Sequence, residues 1–110
     1  MAYDKKLLER LDKLKTSGRS DIQKKNMFGG IAYFLKGNMC YGIHKDFLVL
    51  RLGDELSEKV LENPHAKPMD LTGKIMKGWV MIAPKGFEEG RSLSRYVNLA
   101  IKFVSTLPPK

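Results

Sequence analysis

Met27-Phe28-Gly29-Gly30-Ile31-Ala32-Tyr33-Phe34-Leu35-Lys36-Gly37-Asn38-Met39-Cys40-Tyr41-Gly42-Ile43-His44-Lys45-Asp46-Phe47-Leu48-Val49-Leu50-Arg51 is the stretch on which the fold turns. Apolar, aromatic and β-branched residues fill three short runs, with turn-formers between them, so the stretch reads as a three-stranded antiparallel meander. Gly37-Asn38 suits a two-residue hairpin loop, because both residues accept positive φ. That loop would set Phe34 opposite Tyr41, Ala32 opposite Ile43 and Leu35 opposite Cys40. A second loop at Lys45-Asp46 would set Ile43 opposite Leu48 and Tyr41 opposite Leu50. Side chains alternate across a sheet, so this register predicts two faces. Ala32, Phe34, Met39, Tyr41, Ile43, Leu48, Leu50 and Leu52 form the expected core face. Ile31, Tyr33, Leu35, Cys40, His44, Phe47, Val49 and Arg51 form the other, which is too apolar for an ordinary solvated surface.

Working outward, Tyr3, Leu7, Leu8, Leu11 and Leu14 recur at helical spacing among charged residues, which predicts an amphipathic helix from about Ala2 to Thr16, ended by Ser17-Gly18. The polar run from Arg19 to Asn26 leads into the first strand and can extend it along the sheet edge, although Ser20, Asp21 and Asn26 disfavour a long regular element. Gly29-Gly30 suggests a bulge or the close approach of another backbone. It does not suit a phosphate loop, which needs a Gly-rich turn opening a helix with Lys and Ser/Thr in place.

After the meander, Asp54 is placed to cap a short helix with Leu56, Val60 and Leu61 on its apolar side, stopped by Asn63-Pro64. The connection from His65 to Lys77 has room for a short strand. Trp79 to Ile82, bounded by Gly78 and Pro84, reads as a buried strand, with Trp79 in the core or, alternatively, anchoring the second sheet face. Leu93, Tyr96, Val97, Ala100, Ile101 and Val104 mark a final helix that Pro108-Pro109 ends. The order is helix, three-stranded meander, helix, one or two strands, helix. It predicts a two-layer α+β fold with helices on one side of an antiparallel sheet.

The chain has 110 residues and 43% hydrophobic residues, which is enough for one core and predicts one domain spanning residues 1–110. No apolar run is long enough for a signal peptide or a membrane span, and the lone Cys40 cannot form an internal disulfide. Both point to the cytoplasm. The net charge of +8 raises the prospect of an acidic or nucleic-acid partner. Residues 1–26 hold eight Lys/Arg against four Asp/Glu, so half the excess lies in the first quarter of the chain.

Lys25-Asn26-Met27-Phe28-Gly29-Gly30-Ile31-Ala32-Tyr33, Gly37-Asn38-Met39-Cys40 and His44-Lys45-Asp46 with Val49 and Arg51 resemble the TfoX N-terminal domain family, the domain of the bacterial competence regulator TfoX (Sxy). A second block resembles its single-domain branch: Pro64-His65, Pro68-Met69-Asp70-Leu71-Thr72-Gly73 and Met76-Lys77-Gly78-Trp79-Val80. The resemblance implies a two-layer α+β fold like that of secretion chaperones. It also implies a link to transcriptional regulation, since TfoX acts as a co-regulator with a cyclic-AMP receptor protein. TfoX carries a second, helical domain with no counterpart before Lys110.

The side chains specify no reaction, so the chain is expected not to be an enzyme and to need no cofactor. Cys40 and His44 share a face but stand four residues apart on one strand, about 13 Å at ~3.3 Å per residue, too far for a thiolate–imidazole pair. Cys40 opposite Arg51 could be a reactive or redox-sensing thiol, against which stands simple packing. His44, His65 and Cys40 lack the spacing of a zinc site. Nucleic-acid binding is an alternative: Lys5, Lys6, Arg10, Lys13, Lys15, Arg19, Lys24 and Lys25 could contact phosphates non-specifically, but no base-reading motif is legible. A solvated helix face accounts for the same residues. The favoured reading is a non-enzymatic regulatory or protein-interaction module. In it Ile31, Tyr33, Leu35, Phe47 and Val49, with Arg51, His44 and Cys40 as polar members, form an apolar sheet face for self-association or a protein partner.

Overall fold

A computed structural model describes residues 4–14, 21–27, 30–69 and 76–109. Six strands form one sheet: β1 (Ile22–Met27), β2 (Gly30–Leu35), β3 (Asn38–His44), β4 (Phe47–Arg51), β5 (Ala66–Met69) and β6 (Met76–Ile82). Their order is β1-β2-β3-β4-β6-β5, and every neighbouring pair is antiparallel. The helices are α1 (Lys5–Asp12), α2 (Asp54–Val60) and α3 (Gly90–Val104), with a 3-10 turn at Pro84–Phe87. The expected α+β class holds, with two strands beyond the three of the meander and the one at Trp79. The polar run before Met27 is a full edge strand, and the connection after His65 opens with β5.

The helices bury their apolar stripes on one side of the sheet. Leu7 and Leu11 of α1, and Leu93, Val97, Ala100, Ile101 and Val104 of α3, join Tyr41, Ile43, Leu48, Leu50, Val80 and Ile82 in one core cluster. Leu56 and Val60 of α2 pack against its margin. Asp4 caps α1, accepting a hydrogen bond from the Lys6 amide at 2.9 Å. The Asp4 amide donates to the Lys45 carbonyl at 2.8 Å, which ties the helix start to the β3–β4 turn. Helix α2 is capped at Gly53 rather than Asp54, and its side-chain cap bond is missing; Asp54 and Glu55 occupy the first turn instead, where they suit the helix dipole. The predicted ends of α1, at Ala2 and Thr16, and Gly29 lie outside the described residues.

The β3–β4 register is as predicted, with Tyr41 opposite Leu50 and Ile43 opposite Leu48. The β2–β3 register is not. The loop is Lys36-Gly37, both at positive φ (51° and 86°), so Leu35 pairs with Asn38 and Phe34 with Met39. Asn38 is buried in the ladder, where its Nδ2 donates to the Pro108 carbonyl at 2.9 Å. The pairing then slips between Phe34 and Tyr33, and Tyr33 lies opposite Tyr41. Cys40 is the extra residue of this bulge. A single extra residue reverses the faces of everything beyond it relative to the partner strand. Ile31, Tyr33, Leu35 and Cys40 therefore join the helix-side core, while Ala32, Phe34 and Met39 alternate away from it.

Near that bulge, the Tyr33 and Tyr41 rings stack at 4.5 Å with an interplanar angle of 11°. The Tyr33 hydroxyl donates to Asp12 Oδ1 at 2.7 Å, and Lys24 completes the group with an ion pair to Asp12 at 3.1 Å. Burial, with the Asp12 carboxylate beside it, pushes the Tyr33 phenol well above its usual range.

The helix-free sheet face as candidate functional site

Among the described residues no helix covers the other face of the sheet. At its centre Val49, Met69 and Met81 are buried against one another, with Met39, Phe47 and Trp79 half-buried around them. The register explains the grouping: Val49 pairs with Met81, Arg51 with Trp79 and Lys67 with Met81, so alternate residues of β4, β5 and β6 meet on this side. Phe34, half-buried on β2, extends the face beyond β3.

Three of these aromatic rings carry a cation. Lys25 Nζ lies 5.0 Å from the Phe34 centroid, the Arg51 guanidinium carbon 5.4 Å from Trp79, and Lys67 Nζ 4.3 Å from Phe47. Such contacts are worth about 0.5–1 kcal/mol at exposed sites, so they arrange the side chains without locking them. The six strands contain Lys24, Lys25, Arg51, Lys67 and Lys77 but no Asp or Glu. The described acids lie on the helices, turns and loops.

His44 lies on β3 as the register partner of Phe47. Burial, and then the charges of Lys45 and Lys67, lower its pKa from the usual 6.5. The unfolded chain therefore takes up this proton first as the pH falls. The His44 contribution to stability should be fully present above about pH 6.5 and be lost as the pH drops through the lowered folded value. Titration of the His44 ring by NMR, beside unfolding curves of wild type and His44→Gln between pH 7 and pH 5, checks this; a ring that titrates at or above 6.5 contradicts it.

The residues expected on the second sheet face are divided between the two sides of the sheet. Phe47, Val49, Arg51 and His44 lie on the free face. Ile31, Tyr33, Leu35 and Cys40 do not: each is at most 5% exposed in the helix-side core. The bulge moved them, and no residue type in Asn38 to Tyr41 announces it. For the same reason Cys40 does not sit beside Arg51; the thiol is fully buried, and Arg51 lies on Trp79 across the sheet. A cysteine so enclosed lacks the access that a reactive thiol needs. Trp79 is half-buried on the free face rather than in the main core, which is the alternative raised for it in the sequence. Phe34, Met39, Met69, Met81, Lys25 and Lys67 were not expected there. A Lys36-Gly37 turn was the one signal that could have brought Phe34 opposite Met39.

The basic residues proposed as a nucleic-acid contact do not form one surface. Arg10 donates to the Phe87 and Glu88 carbonyls at 2.6 and 3.1 Å and lies 5.7 Å from the Phe87 ring, so it holds α1 to the turn before α3. Lys24 faces α1 through Asp12. Lys25 is on the opposite side of the sheet, over Phe34. Lys5, Lys6 and Lys13 remain exposed on the helix side, and Lys15 and Arg19 lie outside the described residues.

On the helix side, an open groove between α2 and α3 is lined by Leu56, Leu99 and Phe103 between Lys59, Lys102 and the acids Asp54 and Glu55. It mixes both charges. Among the described residues no three His, Cys, Asp or Glu side chains are grouped as a metal site requires, and no helix is long and apolar enough to cross a membrane. The chain matches no curated protein and no solved structure. The family model of the TfoX N-terminal domain matches residues 12–104, from the end of α1 through α3, and the chain belongs to that family.

Proposed function

We propose that the chain is a cytoplasmic, non-enzymatic interaction module of a regulatory system, and that it works through the helix-free face of its sheet. One observation carries this reading: Met39, Phe47 and Trp79 are half-buried around a small apolar centre, and Phe34 is half-buried beyond it on the same side of the sheet, which no described helix covers. Rings left partly in water on a continuous patch mark an interaction surface more often than a solvated one. Membership in the TfoX N-terminal domain family supports a regulatory role, with transcription as the process and competence as the narrower possibility within it.

A second copy of the chain is the less favoured occupant. Self-association through this face would bring Lys25, Arg51 and Lys67 of one copy toward those of the other, with no strand carboxylate to offset them. Recovery of bound macromolecules from the cells that make the protein tests the reading, using wild type, Phe34→Ala/Phe47→Ala and Lys5→Gln/Lys6→Gln/Lys13→Gln. The ring variant is expected to lose the partner that the other two retain, while keeping its circular dichroism. If it retains the same partners as wild type, this face is not the working surface. Light scattering of the same proteins identifies a second copy, as a mass that falls only in the ring variant.

A further inference from the structure

We propose that the helix-free face binds single-stranded nucleic acid, with bases stacked on Phe34, Phe47 and Trp79 and phosphates held by Lys25, Arg51 and Lys67. The inference rests on the working surface proposed above and names its partner. Aromatic rings and cations come in pairs here, each ring with a Lys or Arg within 5.4 Å of its centroid. A stacked single strand needs that combination, since every nucleotide presents one flat π-face and one negative charge. A base that settles on a ring displaces the cation from it, and the freed cation is already beside the phosphate that follows.

The charge pattern favours this occupant. The strands offer no carboxylate to repel a phosphate backbone, and Lys45 and Lys67 already disfavour further positive charge at His44. A bound anion would relieve that. The rings lie on three strands, β2, β4 and β6, and Phe47 is four residues along β4 from Arg51, the register partner of Trp79. At ~3.3 Å per residue that is about 13 Å, a span that a few nucleotides cover. Duplex DNA fits poorly, because its bases are already stacked and nothing on a sheet face projects into a groove. An acidic protein segment could satisfy the cations but has no need of three separate ring faces.

Trp79 is the only tryptophan in the chain, so its fluorescence reports on this face alone. The experiment titrates the full chain with oligo(dT) and oligo(U) of about twelve nucleotides, with a duplex of equal length, and with polyglutamate as a polyanion lacking bases. The single strands are expected to quench Trp79, and the duplex and polyglutamate are not. The slope of log affinity against log salt should be about −2, as three phosphate contacts give on a single strand. Phe34→Ala/Phe47→Ala should weaken binding about tenfold or more. Lys25→Gln/Lys67→Gln, which leaves the apolar packing alone, should flatten the salt slope, and Lys5→Gln/Lys6→Gln/Lys13→Gln should change little. Absence of quenching by either single strand, equal binding of polyglutamate, or loss of binding only in the α1 variant would overturn the inference. If single strands fail while the ring variant still loses its cellular partner, the face serves a protein and only the nucleic-acid assignment falls.

Discussion

Tyr33→Asp is expected to unfold the domain. Its ring is 1% exposed and stacks on Tyr41, and its hydroxyl reaches Asp12 at 2.7 Å. Replacing it with aspartate removes the ring from the core and sets a second carboxylate near Asp12. Loss of a large buried aromatic costs about 3–5 kcal/mol, and an uncompensated buried charge adds to that. A domain of this size has roughly 5–15 kcal/mol in reserve. The variant should show no cooperative urea transition, or one shifted by most of the wild-type stability. Tyr33→Phe separates the two contributions. It keeps the stacking and loses one hydrogen bond to a carboxylate that is 41% exposed and still paired with Lys24, so about 1 kcal/mol is expected. If Tyr33→Asp folds like wild type, the β2–β3 register is wrong. On the unslipped register the same substitution would instead have probed an exposed interface, so its effect on stability decides between the two pairings.

The second large effect is expected at Gly42. A Cβ built there would collide with the carbonyl oxygen of Ile31, and one built at Gly30 would collide with that of Ile43, so β2 and β3 approach each other reciprocally just beyond the bulge. The obstacle is backbone in the middle of a sheet, which cannot swing aside as a side chain can. Gly42→Ala should cost about 3 kcal/mol, the upper end for overpacked sites, and Gly30→Ala should behave alike. Gly90→Ala is the control: it opens α3 with nothing within 4 Å of the added methyl, and should be neutral or slightly stabilising. Urea midpoints of the three variants check the contrast. Equal midpoints for Gly42→Ala and Gly90→Ala would mean that the strands are not so close.

Much of this architecture was legible from local pattern. The three- and four-residue spacing of Leu93, Val97, Ala100, Ile101 and Val104 describes α3, and those residues are the ones it buries. The apolar run beginning at Trp79 describes most of β6, and Lys45-Asp46 placed Leu48 and Leu50 correctly against β3. Each of these depends on neighbours in the chain, which sequence periodicity reports directly. The clustered N-terminal charge was legible too, but its use was not. Arg10, Lys24 and Lys25 all fall in the first quarter of the chain, yet they belong to a helix–turn clamp, an ion pair under α1 and the opposite sheet face.

By itself, then, the sequence determined the class of fold, the meander and the presence of a second apolar face, because all three follow from composition and period. Which residues make up that face was decided by one inserted residue, Cys40, in a ladder whose loop lies at Lys36-Gly37. A bulge leaves no mark on hydrophobic period when both alternatives are apolar: Ile31, Tyr33 and Leu35 are as suited to a core as Ala32, Phe34 and Met39. The tertiary structure chose by packing. Two tyrosines stack beneath α1 with Asp12 in reach of one hydroxyl, and Ala32, Phe34 and Met39 are left to the side where cations and rings meet.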